Sequence, residues 1–181
     1  MQTESEFLLT SADNIFVNVS SIEEGDNPYY DPALNSAERV LRIMRGERCG
    51  TVSSLYQEWA AALQFPSYAI GAGWDSFHEC VIDLDWPIFA SAERITLYQT
   101  HTSRVLCREP QERSSFFEIM RVASGRFVDG RRRGALTLDS PPRVDARLSI
   151  VFHSIPEELP TLVALLREHE ISVVARPPID G

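Results

Sequence analysis

The stretch GAGWDSFHEC, residues 71–80, decides how this chain is read. Two glycines loosen the backbone, and a helix is predicted to open directly after them. Asp75 and Glu79 stand four residues apart in that helix, and Asp83 continues the series. Positions i and i+4 are neighbours on a helix surface, so the three carboxylates form one slowly drifting stripe. Trp74, Phe77, Val81 and Leu84 recur at the helical period on another face, which predicts the buried side of a helix over residues 73–84. Like charges at this spacing oppose each other by roughly a few tenths of a kcal/mol, and the positive end of the helix dipole offsets part of that. Such a stripe has two readings. It is either a solvated helix start, since acids in a first turn are routine, or a surface built to meet positive charge.

Working outward, SSLYQEWAAAL (residues 53–63) reads as a helix with Leu55, Trp59, Ala62 and Leu63 on its apolar face. Ser54 and Gln57 fit a capping box at its start. QFPSYAI (64–70) is the loop that leads to the glycines. Upstream, RVLRIM (39–44) reads as a buried strand and IFVNV (15–19) as an alternating one. Between them, EEGDNPYYDPALNSA (23–37) carries the Pro, Gly, Asp and Asn of a loop. Residues 1–37 are therefore expected to form an N-terminal extension with one strand and a loop, ahead of a domain over 38–181. Downstream, ERITLYQT (93–100) predicts a strand with Ile95 and Leu97 inward. Ser115 and Glu118 suggest a cap for a helix carrying Phe116, Ile119, Met120 and Ala123. After a loop rich in Gly, Pro and Arg, RLSIVFH (147–153) predicts a central strand. Ser154, Pro156 and Glu157 mark the next helix start, LPTLVALLREHE (159–170) supplies its body, and ISVVA (171–175) predicts a last strand. Strands that alternate with helices imply an α/β fold, a small mostly parallel sheet packed by helices. The final helix and strand are expected as an extra unit on one edge.

The 181 residues suit a domain with a real core, and 44% hydrophobic with 24% charged residues is ordinary for a folded globule. A formal net charge of −9 argues against a nucleic-acid binder, which usually carries a basic face, and favours a basic partner. Cys49, Cys80 and Cys107 have neither the number nor the spacing of a disulfide framework or a zinc site. Cys80 follows Glu79 but points towards the core, as a small apolar residue. His78, His101, His153 and His169 are scattered, with no H-x3-H or H-E-x-x-H spacing. No metal or cofactor is expected. His78 lies within reach of Asp75 and Glu79 on the same helix. Arg131-Arg132-Arg133, between two glycines, reads as an exposed loop tip. No apolar run approaches the roughly 20 residues of a membrane span, and MQTESEFLLT lacks the layout of a signal peptide, so a reducing cytoplasm is expected.

The order of features around the glycines resembles the barstar family of intracellular ribonuclease inhibitors. There, a Leu- and Gln-rich helix leads to a loop with Pro and Tyr. A Gly and an Asn follow, then an Asp, an aromatic, a second acid, Cys and Leu. Phe65-Pro66, Gly71, Asp75 and Cys80 fall on like positions, and Glu79 stands where the family usually has Asp. Gly73 replaces the Asn, Ile70 a Tyr and His78 a Trp. The resemblance is clear over residues 51–86 and extends over about 38–153. It implies a compact α/β inhibitor that plugs the active site of a basic ribonuclease or nuclease-toxin domain, as an immunity protein. Glu79 would be the central phosphate mimic and Asp75 a supporting anion. Gly71 and Gly73 would allow close backbone approach, and Tyr68, Ile70 and Trp74 would supply apolar contact, unless Trp74 belongs to the core. Family members also use an acid late in the following long helix, for which EIMRVASGRF offers no match. Two alternatives stay open: a barstar-like scaffold for another protein partner, and an enzyme that uses Asp75 and Glu79 as an acid–base pair.

Overall fold

The computed structural model describes residues 6–12, 14–21, 36, 38–66, 73–84, 86–126 and 146–174. Tyr68, Ile70, Gly71, the Arg131–Arg133 run and nearly all of the 23–37 loop lie outside the described residues. Among the described residues, six strands form one sheet: β1 (Glu6–Thr10), β2 (Ile15–Val19), β3 (Arg39–Arg45), β4 (Arg94–Thr100), β5 (Arg147–Ser154) and β6 (Val173–Val174). Their order is β3-β4-β5-β2-β1-β6. β3, β4, β5 and β2 run parallel, while β1 is antiparallel to β2 and β6 antiparallel to β1. The mostly parallel α/β architecture expected from the alternation of elements is present. β5 is central, as its run of apolar residues implies, because a strand flanked on both sides and covered on both faces has little need of polar residues.

Four α-helices among the described residues accompany the sheet: α1 (Val52–Leu63), α2 (Trp74–Asp83), α3 (Arg113–Arg126) and α4 (Leu159–Glu168). Leu55, Trp59, Phe77, Phe116, Met120, Leu162 and Leu166 join Ile95, Leu97, Ile150 and Phe152 in one core. Leu41, Tyr98 and Val151 are also buried, in a smaller cluster with Phe7, Phe16 and Ile43. The centre of the sheet is thus apolar in both directions. A buried polar chain runs through it: Trp59 Nε1–H donates to Gln99 Oε1 (3.0 Å), and Gln99 Nε2 donates to the Met44 carbonyl (3.0 Å). Both polar side chains are satisfied, so their burial carries little penalty.

Several local expectations shift. The capping box of α1 is Thr51 with Ser54, not Ser54 with Gln57: the Thr51 side chain accepts from the Ser54 amide, and the Thr51 amide donates to Ser54 Oγ. The helix therefore starts at Val52, and a serine at the third helical position does the work usually given to Glu or Gln. α3 starts at Arg113, after a 3-10 turn over Pro110–Glu112, so Ser115 lies inside the helix rather than at its cap. Glu118 is spent on Arg121, three residues on, at 2.7 Å. The last strand shrinks from five residues to Val173–Val174, at the sheet edge beside β1. β1 itself was not predicted, because EFLLT neither alternates nor forms a long apolar run.

Candidate functional site

Gly73 opens α2 in a conformation that fixes its identity. Its φ of 88° and ψ of −177° lie in a region that is essentially glycine-only. A Cβ there would meet nothing within 4 Å, so the backbone geometry requires the glycine, not crowding. Open space beside a helix N-terminus is also what close approach by another molecule needs. No side chain caps this end, and Asp75 is the acid of the first turn, where the dipole favours it. Leu84 ends the helix in the left-handed region, its amide donating to the Cys80 carbonyl (3.2 Å).

The inner face of α2 is held by Phe77. This ring is fully buried, and it packs against Tyr56 (5.2 Å between centroids), Trp59 (5.3 Å), Trp74 (5.7 Å) and Phe65 (5.9 Å). Cys80, Val81 and Leu84 are buried as expected, and Ile82 joins them. Trp74 is half-buried: its ring stacks in a tilted fashion on Tyr56, and its indole N–H donates to Glu112 Oε2 at 2.9 Å. The residue therefore braces the helix start with one side of its ring.

The outer face carries the acids. Asp75 and Glu79 are exposed and Asp83 is half-buried. The structure thus places Gly73, Trp74, Asp75 and Glu79 on one helix start, with the two exposed carboxylates one turn apart. Among the described residues, the ion pairs are Arg45–Glu58, His101–Glu47, His101–Glu158, Arg104–Glu158 and Arg121–Glu118. None involves α2. His78 is half-buried and pairs with neither Asp75 nor Glu79. Two acids that the sequence did not single out stand nearby: Glu112, bonded to Trp74, and Glu109, whose Oε2 accepts the Val52 amide at 2.7 Å at the start of α1. That bond spans 57 residues of sequence, and no local pattern could have signalled it.

Cys49 and His153 are buried. The Cys49 thiol is pushed up to about 12 by burial and then by the Glu58 carboxylate, so it stays protonated. His153 is held below its ordinary value by burial. Its Nδ1 accepts from the His101 amide (3.4 Å) and its Nε2 faces Ser20 (3.3 Å). No cluster of three or more His, Cys, Asp or Glu able to hold a metal occurs among the described residues, and no described helix is long and apolar enough to cross a membrane.

Fold and surface define a small, mostly parallel α/β protein that presents an acidic helix start with its charges unpaired. A family model described as Barstar (barnase inhibitor) matches residues 39–139, more than half of the chain. The chain belongs to that family, one of ribonuclease inhibitors and related scaffolds. The match takes in β3, α1, α2, β4 and α3, while the β1–β2 hairpin, β5, α4 and β6 lie outside it. No curated protein matches the chain.

Proposed function

We propose that the protein inhibits a ribonuclease by laying the start of α2 across its active site, as an immunity protein against a nuclease toxin in a reducing cytoplasm. One observation carries this reading: in a barstar-family fold, Asp75 and Glu79 stand exposed one turn apart on α2, beside the bare backbone of Gly73, and neither has a counter-charge among the described residues. A ribonuclease site gathers cations to stabilise a phosphoryl transition state. A carboxylate placed there accepts charge-assisted hydrogen bonds from Arg, Lys or protonated His. Glu79 takes the phosphate position and Asp75 supports it from one turn nearer the loop. Tyr68, Ile70 and Gly71 extend the contact from the preceding loop, and Gly73 and Trp74 shape the helix entry. The net charge of −9 steers the encounter with a basic enzyme.

The replacements at Ile70, Gly73 and His78 favour a second reading, a family scaffold that binds a different basic protein. An acid–base enzyme finds less support: such a pair needs two contrasting environments, and both carboxylates are exposed on the same face. The test is RNA cleavage by a panel of small basic ribonucleases, barnase included, titrated with the purified protein. Stoichiometric loss of cleavage is expected for at least one enzyme. Undiminished cleavage by all of them would turn the assignment towards the second reading.

A further inference from the structure

The chain contains no lysine; all 17 of its basic residues are arginines. Several are spent within the fold. Arg45, Arg104 and Arg121 hold carboxylates, Arg113 holds the Val105 and Ser103 carbonyls, and Arg42 that of Leu41. Three others stand in a row. β3, β4 and β5 begin on Arg39, Arg94 and Arg147, and the sheet register sets Arg39 opposite Arg94 and Arg94 opposite Arg147. Residues opposite each other in a sheet share a face, with about 4.8 Å from strand to strand. All three are exposed. Their side chains make no hydrogen bond or ion pair among the described residues, not even with Glu38 and Glu93, which precede two of them. Like charges directly opposite one another weaken a sheet, so the row works against the fold that carries it.

Two residues further along the same face, Thr96 and Ser149 stand opposite each other, half-buried, and neither hydroxyl has a partner among the described residues. The face therefore offers three forked donors with two hydroxyls behind them. It lies at the amino ends of the parallel strands. Gly73 shares a cavity wall with Val52, which begins α1 beyond the carboxyl end of β3. The basic row and the acidic start of α2 thus sit at opposite ends of the sheet.

A guanidinium grips a phosphate through two parallel N–H bonds. Three in a row, roughly 10 Å from the first strand to the third, suit an anion that carries several charges along a short line. A single phosphate leaves part of the row unpaired. A long nucleic-acid strand is disfavoured, because beyond the row its phosphates meet a chain of net charge −9. We propose that Arg39, Arg94 and Arg147 form a binding site for a diphosphate or triphosphate group, inorganic or the tail of a nucleotide. The site is independent of the ribonuclease reading.

The probe is inorganic triphosphate, titrated into the full-length protein at constant ionic strength, with calorimetry for affinity and NMR for location. Saturable binding is expected, weakening in the order triphosphate, diphosphate, phosphate. Backbone amides should shift at Arg94, Thr96, Arg147 and Ser149, with those of Asp75 and Glu79 unmoved. Arg94→Ala removes the central fork and should weaken triphosphate by about tenfold, the scale of a hydrogen bond to a charged group; circular dichroism checks its fold. Arg94→Lys keeps the charge without the fork and should lose less. A nucleoside triphosphate titrated in parallel identifies the source: equal or lower affinity assigns the site to the phosphates alone, and higher affinity adds the nucleoside. Absence of saturation, equal binding of phosphate and triphosphate, unchanged affinity in Arg94→Ala, or tighter binding of a short oligouridylate overturns the proposal.

Discussion

Two regions of this molecule concentrate acidic residues, and they treat them in opposite ways. At the carboxyl ends of the parallel strands, Glu58, Glu158 and Glu47 have partners. Glu58 is buried and takes the Arg45 guanidinium at 2.7 Å together with the Arg45 amide at 3.1 Å. Glu158 takes Arg104 at 2.7 Å and the Ser103 hydroxyl, and Glu47 takes His101 at 2.8 Å. On α2, Asp75 and Glu79 are exposed and have no such partners. Charge that is neutralised within the fold serves the fold. Charge left open at a helix start, next to a glycine that keeps the backbone bare, is available to something else. The contrast makes a double prediction, that α2 acids govern affinity and strand-end acids govern stability.

The sharpest way to break it is Glu79→Ala. Against the cognate nuclease, calorimetry should show a loss of about 2–5 kcal/mol, because cations brought out of water would lose their counter-charge, while circular dichroism shows an unchanged fold. An unchanged affinity would put Glu79 outside the interface. Glu58→Ala is the mirror experiment. It strips the Arg45 guanidinium and amide of a shared acceptor, so urea unfolding should report a loss of about 2 kcal/mol with little effect on affinity in the folded protein. Asp75→Ala should cost about 1 kcal/mol of affinity, less than Glu79→Ala; the reverse ranking would move the centre of the site towards the loop.

A pH series sharpens the same comparison at the strand ends. Burial depresses His153, so the folded state prefers the neutral ring. Its contribution is present above the ordinary value of 6.5 and is lost as the pH falls below that value. Glu158 works in the same direction at lower pH. Burial alone would raise it, but the Ser103 hydroxyl and Arg104 outweigh that and hold it below its ordinary value. Melting temperatures should decline on acidification from pH 7 to 5, and His153→Gln should flatten that part of the curve. The smallest effect is reserved for Glu118→Ala. Its pair with Arg121 is exposed on both sides, and such pairs, screened by water and salt, contribute little. A loss as large as that of Glu58→Ala there would show that surface pairs in this protein matter more than their exposure implies.

The parts of the fold that were legible in the sequence are those set by near neighbours. IFVNV, RVLRIM, ERITLYQT and RLSIVFH announced β2 to β5 by their runs of apolar residues, and the period of Trp74, Phe77, Val81 and Leu84 announced α2. The start of α1 was missed by three residues because Thr51 and Ser54 form a box from two hydroxyl residues, whereas the familiar pattern ends in Glu or Gln. Sheet order was out of reach: that β2 lies beside β5, some 130 residues on, follows from packing rather than from any local signal. The acidic stripe was visible as spacing. That Asp75 and Glu79 have no ion pair among the described residues was not, since pairing depends on which arginines fold close. Tyr56 shows the same limit, because helical period places it near the core but cannot say whether its hydroxyl meets a partner.

Among the described residues the sheet ends on one side at β3, and a terminal strand is the kind of element on which neighbouring chains assemble into fibres. Arg39, Arg42 and Arg45 occupy that strand, and Arg42 Nη1 donates to the Leu41 carbonyl of the strand itself at 2.7 Å. Three arginines along seven residues make a second copy of the same strand an unwelcome neighbour, by charge and by bulk. A chain of net charge −9 thus sets its scarce cations where self-association would begin. Molecules of this protein that meet at that end of the sheet meet arginine side chains first.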